Sequence, residues 1–299
     1  KLKEIYPDRI PFSDRFKFDS TLNIAAPTFG AVAGWGIGDG MKFDKDQGKF
    51  VFSPATDNYK QMVTYFHNLV AEGLLDKESL TQEDDQAVEK FETGKSFVIN
   101  TNSQTIEMMR TDMDKTLGKG KYEISKITVP GGPAGNVKAG SRLENGIMIN
   151  AKAKDDPNFD AMLQFIDWLW YSDEGEEFAK WGVEGTHFTK ENGKYQLTAD
   201  YNYNGLNPKG TKDLRTDDGF SGGVFAYGGS TELLHSMMSE EELKFQDAMS
   251  KERTLLEPDP PRPYSEAVRE QATLLGTPLL DYAKENTSKF IVGDRPLSE

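Results

Sequence analysis

Aromatic, amide, guanidinium and carboxylate side chains stand in loops of this 299-residue chain, either among glycines or directly after an apolar run. Loops held by a scaffold are where binding residues concentrate. Aromatic faces with a few well-placed polar groups are typical of pockets for small polar ligands, sugars among them. The candidate ligand-binding residues from this pattern are Trp35, Asn102, Ser103, Gln104, Arg142, Glu144 and Tyr227, with Asn100, Tyr201, Tyr203 and Phe225 nearby in the same loops.

One segment has the spacing of a serine nucleophile elbow, Gly219-Phe220-Ser221-Gly222-Gly223. That motif needs a buried strand before the serine and an acid and a histidine after it. Residues 213–218 are polar instead, and the only later histidine, His235, follows after 14 residues with Glu232 as the sole acid between. The segment is therefore predicted to be a glycine-rich loop and not a catalytic serine.

Two further segments resemble ion-binding or phosphate-binding loops only in part. Asp44-Lys45-Asp46-Gln47-Gly48 begins like a calcium loop, but its fifth position is glycine and its twelfth is Ala55, so a hairpin turn is predicted. Gly94-Lys95-Ser96 has Glu89 where a phosphate loop needs its first glycine. The chain has no cysteine and 3 widely spaced histidines. We expect no metal and no cofactor.

The composition excludes several function classes. Lys and Arg number 35 and Asp and Glu 49, so the formal net charge is −14, which argues against nucleic-acid binding and against adhesion to anionic lipid. No apolar run approaches the roughly 20 residues of a membrane span. Paired acids leave a glycoside hydrolase open, because sequence cannot show the distance between two carboxylates.

Helices alternate with short strands, which predicts an α/β fold. The first 40 residues are predicted to be loop and short strand. Hairpins are predicted at 41–52 and 186–197, single strands at 96–100, 122–129 and 146–149, and a long loop at 198–230. The predicted helices cover 56–73, 81–94, 103–117, 159–170, 172–181, 231–238, 240–256, 265–275 and 278–289.

Seven segments in order resemble the extracellular solute-binding proteins of ABC importers, family 1, the maltose-binding-protein-like branch, and most of all the oligosaccharide-binding lipoproteins of Gram-positive bacteria. They are Phe50-Val51-Phe52-Ser53-Pro54-Ala55-Thr56-Asp57, Glu72-Gly73-Leu74-Leu75-Asp76, Phe91-Glu92-Thr93-Gly94-Lys95-Ser96, Glu144-Asn145-Gly146-Ile147-Met148-Ile149, the run 165–175, Trp181-Gly182-Val183-Glu184-Gly185, and Lys289-Phe290-Ile291-Val292-Gly293-Asp294.

The resemblance implies a periplasmic-binding-protein-like (type II) fold of two α/β lobes that close on a ligand. It implies that the chain is a C-terminal fragment, with the N-terminal part of the first lobe missing. Under this interpretation 1–125 form the second lobe, 126–190 a partial first lobe with crossover segments, and 191–299 mainly the second lobe with ligand-facing loops.

The resemblance also implies a function and further site residues. It predicts a non-catalytic receptor that binds an oligosaccharide and delivers it to an ABC transporter permease, at the extracellular face of the cell membrane or in the periplasm. Membrane attachment would come only through an N-terminal lipid anchor absent from this chain. Arg262 and Tyr264 join the candidate site, because the matching proline-rich segment faces the cleft in relatives.

At Asn102, Ser103 and Gln104 the maltose-binding pattern has Gly-Pro-Trp, so a platform aromatic is missing there and a maltose-type ligand is not expected. A glycoside hydrolase and a cell-surface carbohydrate interaction domain remain the alternative functions.

Overall fold

The chain folds into two compact units. A computed structural model of the protein describes residues 1–102, 105–140, 146–222 and 228–299. The first unit joins Lys1–Ser141 with Ala248–Glu299, and the second is Arg142–Asp247. Helices and short strands alternate in both.

The first unit is mainly helical. Its helices are α1 (Leu2–Ile5), α2 (Asp19–Phe29), α3 (Asp57–Ala71), α4 (Asp84–Glu92), α5 (Ile106–Met113) and α10 (Glu266–Val292). Its strands are β1 (Ile10–Phe12), β2 (Met41–Asp44), β3 (Lys49–Phe52), β4 (Ser96–Val98), β5 (Val137–Lys138) and β10 (Thr254–Leu255). Short 3-10 turns cover Gly34–Ile37, Ser53–Ala55 and Lys77–Leu80, and a π-helical turn covers Asp114–Gly118.

The core of the first unit lies between α2, α3 and α10. The apolar spacing of α3 places Met62, Val63 and Phe66 on one buried face, where they pack with α2 and with Ile291 of α10. The Thr56 side chain accepts the N–H of Tyr59 and so caps the start of α3. His67 donates from Nδ1 to the carbonyl of Phe290 at 2.8 Å, which makes it a structural link between α3 and α10.

Three two-stranded sheets complete the first unit. β1 pairs with β4 in parallel, with Ile10 opposite Ser96 and Phe12 opposite Val98. β5 pairs with β10 in parallel, and β2 pairs with β3 as the predicted antiparallel hairpin. β1 and β4 bring together segments 86 residues apart in sequence, because parallel strands need a crossover connection.

The second unit contains α6 (Phe159–Tyr171), α7 (Asp173–Trp181), β6 (Phe188–Glu191), β7 (Lys194–Leu197), β8 (Tyr201–Asn202), β9 (Lys212–Asp213) and α8 (Thr231–Ser236); α9 (Glu240–Glu252) begins in it and ends in the first unit. A 3-10 turn covers Ala151–Asp155. β6 and β7 form the predicted hairpin, whose turn residues Asn192 and Gly193 have φ of +51° and +76°. Trp181 and Phe188 are buried in one apolar cluster with Leu233.

Proline misled two of the helix predictions. Residues 19–29 fall in the stretch predicted as loop and short strand, yet they form α2. Pro27 stands in its last turn, where only one backbone hydrogen bond is lost, and Leu22, Ala26 and Phe29 are buried. The predicted break between 275 and 278 does not occur. α10 continues through Pro278 as one helix, and its first half is mostly exposed.

Two predicted strands are not strands. Residues 122–129 have no regular secondary structure and are held by individual contacts, such as the hydrogen bond from the Arg253 Nε to the Val129 carbonyl at 2.6 Å. Residues 146–149 pair with no strand among the described residues, and Met148 is 98% exposed. A strand exists only with a ladder partner, which local sequence does not specify.

Met62 is predicted to carry a large share of the stability of the α2–α3–α10 core. It is fully buried, so Met62→Ala should lower the free energy of unfolding in urea by about 3 kcal/mol, because it leaves a cavity. Met108, on α5, is 60% exposed and supplies the control: Met108→Ala should change it by less than about 0.5 kcal/mol. Equal losses for the two variants would contradict this packing.

Candidate functional site

The carboxyl ends of β1 and β4 point to the same edge of their parallel sheet. The chain leaves β1 through Ser13–Phe16 and leaves β4 through Ile99–Asn102, so these polar segments emerge side by side. In open α/β sheets the carboxyl edge is where ligands bind, because loops rather than further strands lie beyond it. The carboxyl edge of the β1–β4 sheet is therefore the candidate site.

Arg15 joins the two segments. Its backbone N–H donates to Asn100 Oδ1 at 2.8 Å, and its guanidinium donates to Thr101 Oγ1 at 3.1 Å. The same guanidinium forms a two-pronged ion pair with Asp84, at the start of α4, in which Nη2 lies 3.0 Å from Oδ2. The Arg15 side chain is only 14% exposed, whereas that of Asp84 is 46% exposed, so the ion pair joins a buried guanidinium to a carboxylate at the surface.

Two aromatic rings extend the edge toward solvent. The guanidinium carbon of Arg15 lies 5.1 Å from the centre of the Phe16 ring, and the Phe16 ring lies 5.0 Å from that of Trp35. Trp35 is 59% exposed, unusual for the residue type. We call Arg15, Phe16, Trp35, Asn100, Thr101 and Asn102 the strand-end surface.

Glycine positions Trp35. Gly34 has φ of +57°, and a Cβ there would lie 1.9 Å from the carbonyl oxygen of Asp19 in α2. Only glycine permits this close approach, which seats the 3-10 turn on α2 and turns the Trp35 ring outward. The sequence pattern of a tryptophan among glycines therefore has a physical basis.

A buried polar network holds the end of β1 in place. The Ser13 hydroxyl donates to Asp76 Oδ2 at 2.8 Å, and Lys90 Nζ donates to the same oxygen at 2.7 Å. Gln82 Nε2 donates to the Asp14 carbonyl at 2.7 Å, and the Asp14 N–H donates to Ser79 Oγ at 2.9 Å. Because every connection is a hydrogen bond in the interior, the backbone at Ser13 and Asp14 has one arrangement.

Asp14 sets the turn that follows. Its Oδ1 accepts the N–H groups of Phe16 at 2.7 Å and Phe18 at 2.9 Å, and its Oδ2 accepts the Thr21 hydroxyl. Burial raises the pKa of Asp14, and these three hydrogen bonds oppose the rise. Lys17 and Phe18 have φ of +53° and +69°, a strained turn that these bonds stabilise.

A second cluster lies on the β2–β3 hairpin. Arg262 donates through Nη2 to Asp39 Oδ1 at 2.8 Å, its Nη1 lies 2.7 Å from Asp39 Oδ2, and the same Nη1 donates to the Tyr264 hydroxyl at 3.2 Å. The guanidinium carbon lies 4.7 Å from the Phe50 ring centre. We call Asp39, Phe50, Arg262 and Tyr264 the hairpin patch.

The structure places four of the predicted site residues. Trp35 and Asn102 belong to the strand-end surface, whereas Arg262 and Tyr264 belong to the hairpin patch. Asp39 follows Trp35 by four positions, so one loop contributes to both clusters. The other predicted residues lie outside the described part of the chain: Ser103, Gln104, Arg142, Glu144 and Tyr227. A ligand-binding role for all nine stays a prediction.

Sequence reasoning did not single out Arg15, Phe16 and Asp39. The signal available was the short run Ile10-Pro11-Phe12 followed at once by Ser13 and Asp14, which is the pattern of a strand that ends at a polar loop. The prediction of loop and short strand over the first 40 residues did not assign a strand to this run. Their partners are distant in sequence, and the structure was needed to bring them together.

In the second unit Ser221 is a buried structural residue. Its hydroxyl donates to the carbonyl of Lys180. The His187 ring packs on Phe220, next to Ser221 in sequence, with 4.8 Å between ring centres; its Nδ1 accepts the Val183 N–H at 2.9 Å and its Nε2 lies 3.4 Å from Asp218 Oδ2. Both ring nitrogens are thus engaged away from the serine, and the pair required for nucleophilic catalysis is not formed.

The calcium-like segment is a hairpin turn, as predicted. Asp44 Oδ1 accepts the N–H groups of Asp46 and Gln47, both at 3.0 Å. No group of three or more acidic or histidine side chains within the described ranges is arranged to hold a metal ion. Of the helices in those ranges, none combines the length and apolar character needed to cross a membrane.

No family model and no curated protein matches the chain. Solved structures do resemble it. An alginate-binding protein, in a structure without calcium ion, superposes with a TM-score of 0.71 over 99% of this chain at 16% identity. An HMO-binding solute-binding protein associated with an ABC transporter, from Bifidobacterium longum infantis, gives 0.53 over 95% at 19% identity.

An ABC-transporter substrate-binding protein from S. pneumoniae, in complex with kestose, gives a TM-score of 0.54 over 95% of this chain at 18% identity. The chain spans 59%, 58% and 58% of the first three neighbours and 56% of this one, so it matches less than two thirds of their length. These likenesses confirm the predicted fold class: the chain has an α/β fold of the type II periplasmic-binding-protein kind.

The network beneath β1 should be sensitive to loss of Lys90. Partial burial lowers the pKa of Lys90, but its bonds to Asp76 and Glu78 outweigh that effect and raise it. Lys90→Met leaves buried Asp76 without its cation and should lower the free energy of unfolding in urea by about 2 kcal/mol or more.

Lys95→Met is the matched control for this variant. Lys95 pairs with exposed Glu89 at 3.4 Å, so its loss should change the free energy of unfolding by less than about 0.5 kcal/mol. A Lys90 variant as stable as the Lys95 variant would show that the network does not hold the strand end.

Proposed function

We propose that the chain is the ligand-binding part of an extracytoplasmic solute-binding protein that binds an oligosaccharide and delivers it to the permease of an ABC transporter. The named ligands or functions of the structural neighbours support a carbohydrate solute. The resemblance of the sequence segments supports the same class. In this proposal 1–125 and 191–299 supply most of one lobe and 126–190 part of the other.

The observation that carries the proposal is the strand-end surface. An open tryptophan ring, a second ring behind it and the polar side chains of Asn100, Thr101 and Asn102 stand together at the carboxyl edge of a parallel sheet. Apolar ring faces cover the C–H faces of sugar rings, while side-chain amides and hydroxyls bond to their hydroxyl groups. This is a surface for holding a saccharide by its shape.

The proposed role is binding without turnover. In the described part of the chain the motif closest to a catalytic one is Ser221, and its hydroxyl is committed to a backbone carbonyl. The proposed location is the extracellular face of the membrane, with attachment through a lipid anchor, or the periplasm. A glycoside hydrolase and a cell-surface carbohydrate interaction domain are the competing functions.

Calorimetric titration of the chain with a panel of purified oligosaccharides tests the proposal. At least one member should bind with a Kd in the micromolar range or below, and a saturating amount should raise the melting temperature by mass action. The absence of heat and of any thermal shift across the panel would overturn the carbohydrate assignment. Released monosaccharide after prolonged incubation with the bound oligosaccharide would instead favour the hydrolase.

Trp35 is predicted to contribute most of the apolar contact with the sugar. Trp35→Ala should weaken binding at least about tenfold, since an aromatic contact of this kind contributes about 1.4 kcal/mol or more. Its effect on the free energy of unfolding should stay under about 1 kcal/mol, because the ring is exposed.

Tyr171 provides the control for the tryptophan variant. It is 79% exposed at the end of α6 in the second unit, so Tyr171→Ala removes an exposed aromatic ring from a different place. Its Kd should remain within about twofold of the unmodified chain. Equal loss of affinity in Trp35→Ala and Tyr171→Ala would show that the strand-end surface is not part of the binding site.

A further inference from the structure

Two cations of the candidate site, Arg15 and Arg262, are already paired with carboxylates of the chain itself. Arg15 is held by Asp84 through two guanidinium nitrogens, and Arg262 is held by Asp39 in the same two-pronged way. A guanidinium that meets a carboxylate through two parallel bonds has its preferred partner. Neither group is available to a ligand carboxylate without first releasing an aspartate.

The surroundings of Arg15 add negative charge. Lys17, two residues later, is paired with Glu83 at 3.2 Å. The first turn of α4 carries Asp84 and Asp85, and Glu83 caps it, so the positive end of that helix is satisfied by its own acids. The site's positive potential is therefore compensated locally, in a chain whose formal net charge is −14.

The positive charge of the hairpin patch is likewise compensated by an acid of the chain. Burial raises the pKa of Asp39, but the hydrogen bonds and the charge of Arg262 outweigh burial and lower it. Asp39 is accordingly ionised at neutral pH and cancels the charge of Arg262. The Arg262 side chain is 25% exposed, and its planar face is directed at Phe50 and Tyr264.

Among the described residues of the strand-end surface, the groups that remain open are uncharged. The Trp35 ring is mostly exposed, and Asn102 uses its Oδ1 to accept the Thr105 N–H at 3.2 Å, while its Nδ2 donates to no group within the described residues. An aromatic face and an amide donor suit ring carbons and hydroxyl groups. A carboxylate placed there would be desolvated without a cation to pair with.

We infer that the ligand is an uncharged oligosaccharide, and that Asp84 and Asp39 determine this specificity by occupying Arg15 and Arg262. The inference rests on the proposed function and deepens it. The Trp35 ring and the Asn102 amide would attract the sugar. The negative charges of Asp84 and Asp39 would repel a uronate and so discriminate against it. The two aspartates are thus specificity-determining residues that need not touch the sugar.

Matched pairs of oligosaccharides test this directly. Tetramers of glucose, galactose and mannose are titrated beside the glucuronate, galacturonate and mannuronate tetramers, which differ only in oxidation at C6. The chain should bind its best neutral tetramer at least tenfold more tightly than the matching uronate. Tighter binding of the uronate overturns the inference while leaving the proposed function intact, whereas failure of every tetramer counts against both.

Asp84→Asn and Asp39→Asn then test the role of the aspartates. Each releases a guanidinium while keeping the shape of the side chain, so the ratio of uronate affinity to neutral affinity should rise about fivefold or more. Asp112→Asn is the control for net charge, since Asp112 pairs with Lys115 at 2.7 Å on the exposed end of α5. Its ratio should stay within twofold of the unmodified chain.

Folding of each variant is checked by thermal unfolding, and the titrations of the unmodified chain decide the ligand class without any variant. A ratio unchanged in both Asp84→Asn and Asp39→Asn would overturn the specificity role of the aspartates. A ratio that rises equally in Asp112→Asn would overturn it as well, because the effect would then come from total charge.

Discussion

The candidate site depends on the buried hydrogen bonds beneath the carboxyl end of β1. Ser13 and Asp14 are fully buried, and each is bonded to groups that arrive from the segment 76–90. Buried polar groups of this kind are costly when unpaired and specific when paired, so the backbone can leave the sheet in one direction. Arg15 and Phe16 follow immediately, and their placement is a consequence of that constraint.

The Arg15–Asp84 ion pair is the second interaction that fixes the candidate site. The Arg15 guanidinium is compensated by Asp84 and rests on Phe16, which in turn supports Trp35. Arg15 therefore links the loop after β1 to the loop after β4 and packs against the ring of Phe16. The open groups of the described strand-end surface are then the Trp35 ring and the Asn102 amide, and the proposal of an uncharged solute rests on this arrangement.

Sequence patterns predicted the elements that are stabilised locally. The hairpins at 41–52 and 186–197, the capped helix after Thr56 and the helix capped by Ser172 are all present, because turn residues and capping side chains act within a few positions. The predictions failed where distant contacts outweigh local preference. Pro27 and Pro278 lie inside helices, and 122–129 has no ladder partner among the described strands.

The candidate site divides in the same way. The sequence by itself determined that Trp35 stands in a glycine loop, that Asn102 follows a strand, and that an acidic, cysteine-free chain suits neither nucleic acid nor thiol chemistry. Only the tertiary structure decided which residues meet there. Arg15 reaches Asp84 and Asn100 across 69 and 85 positions, and Arg262 reaches Asp39 across 223. Such pairings arise from the crossover of parallel strands and the packing of distant segments, and no local pattern encodes them.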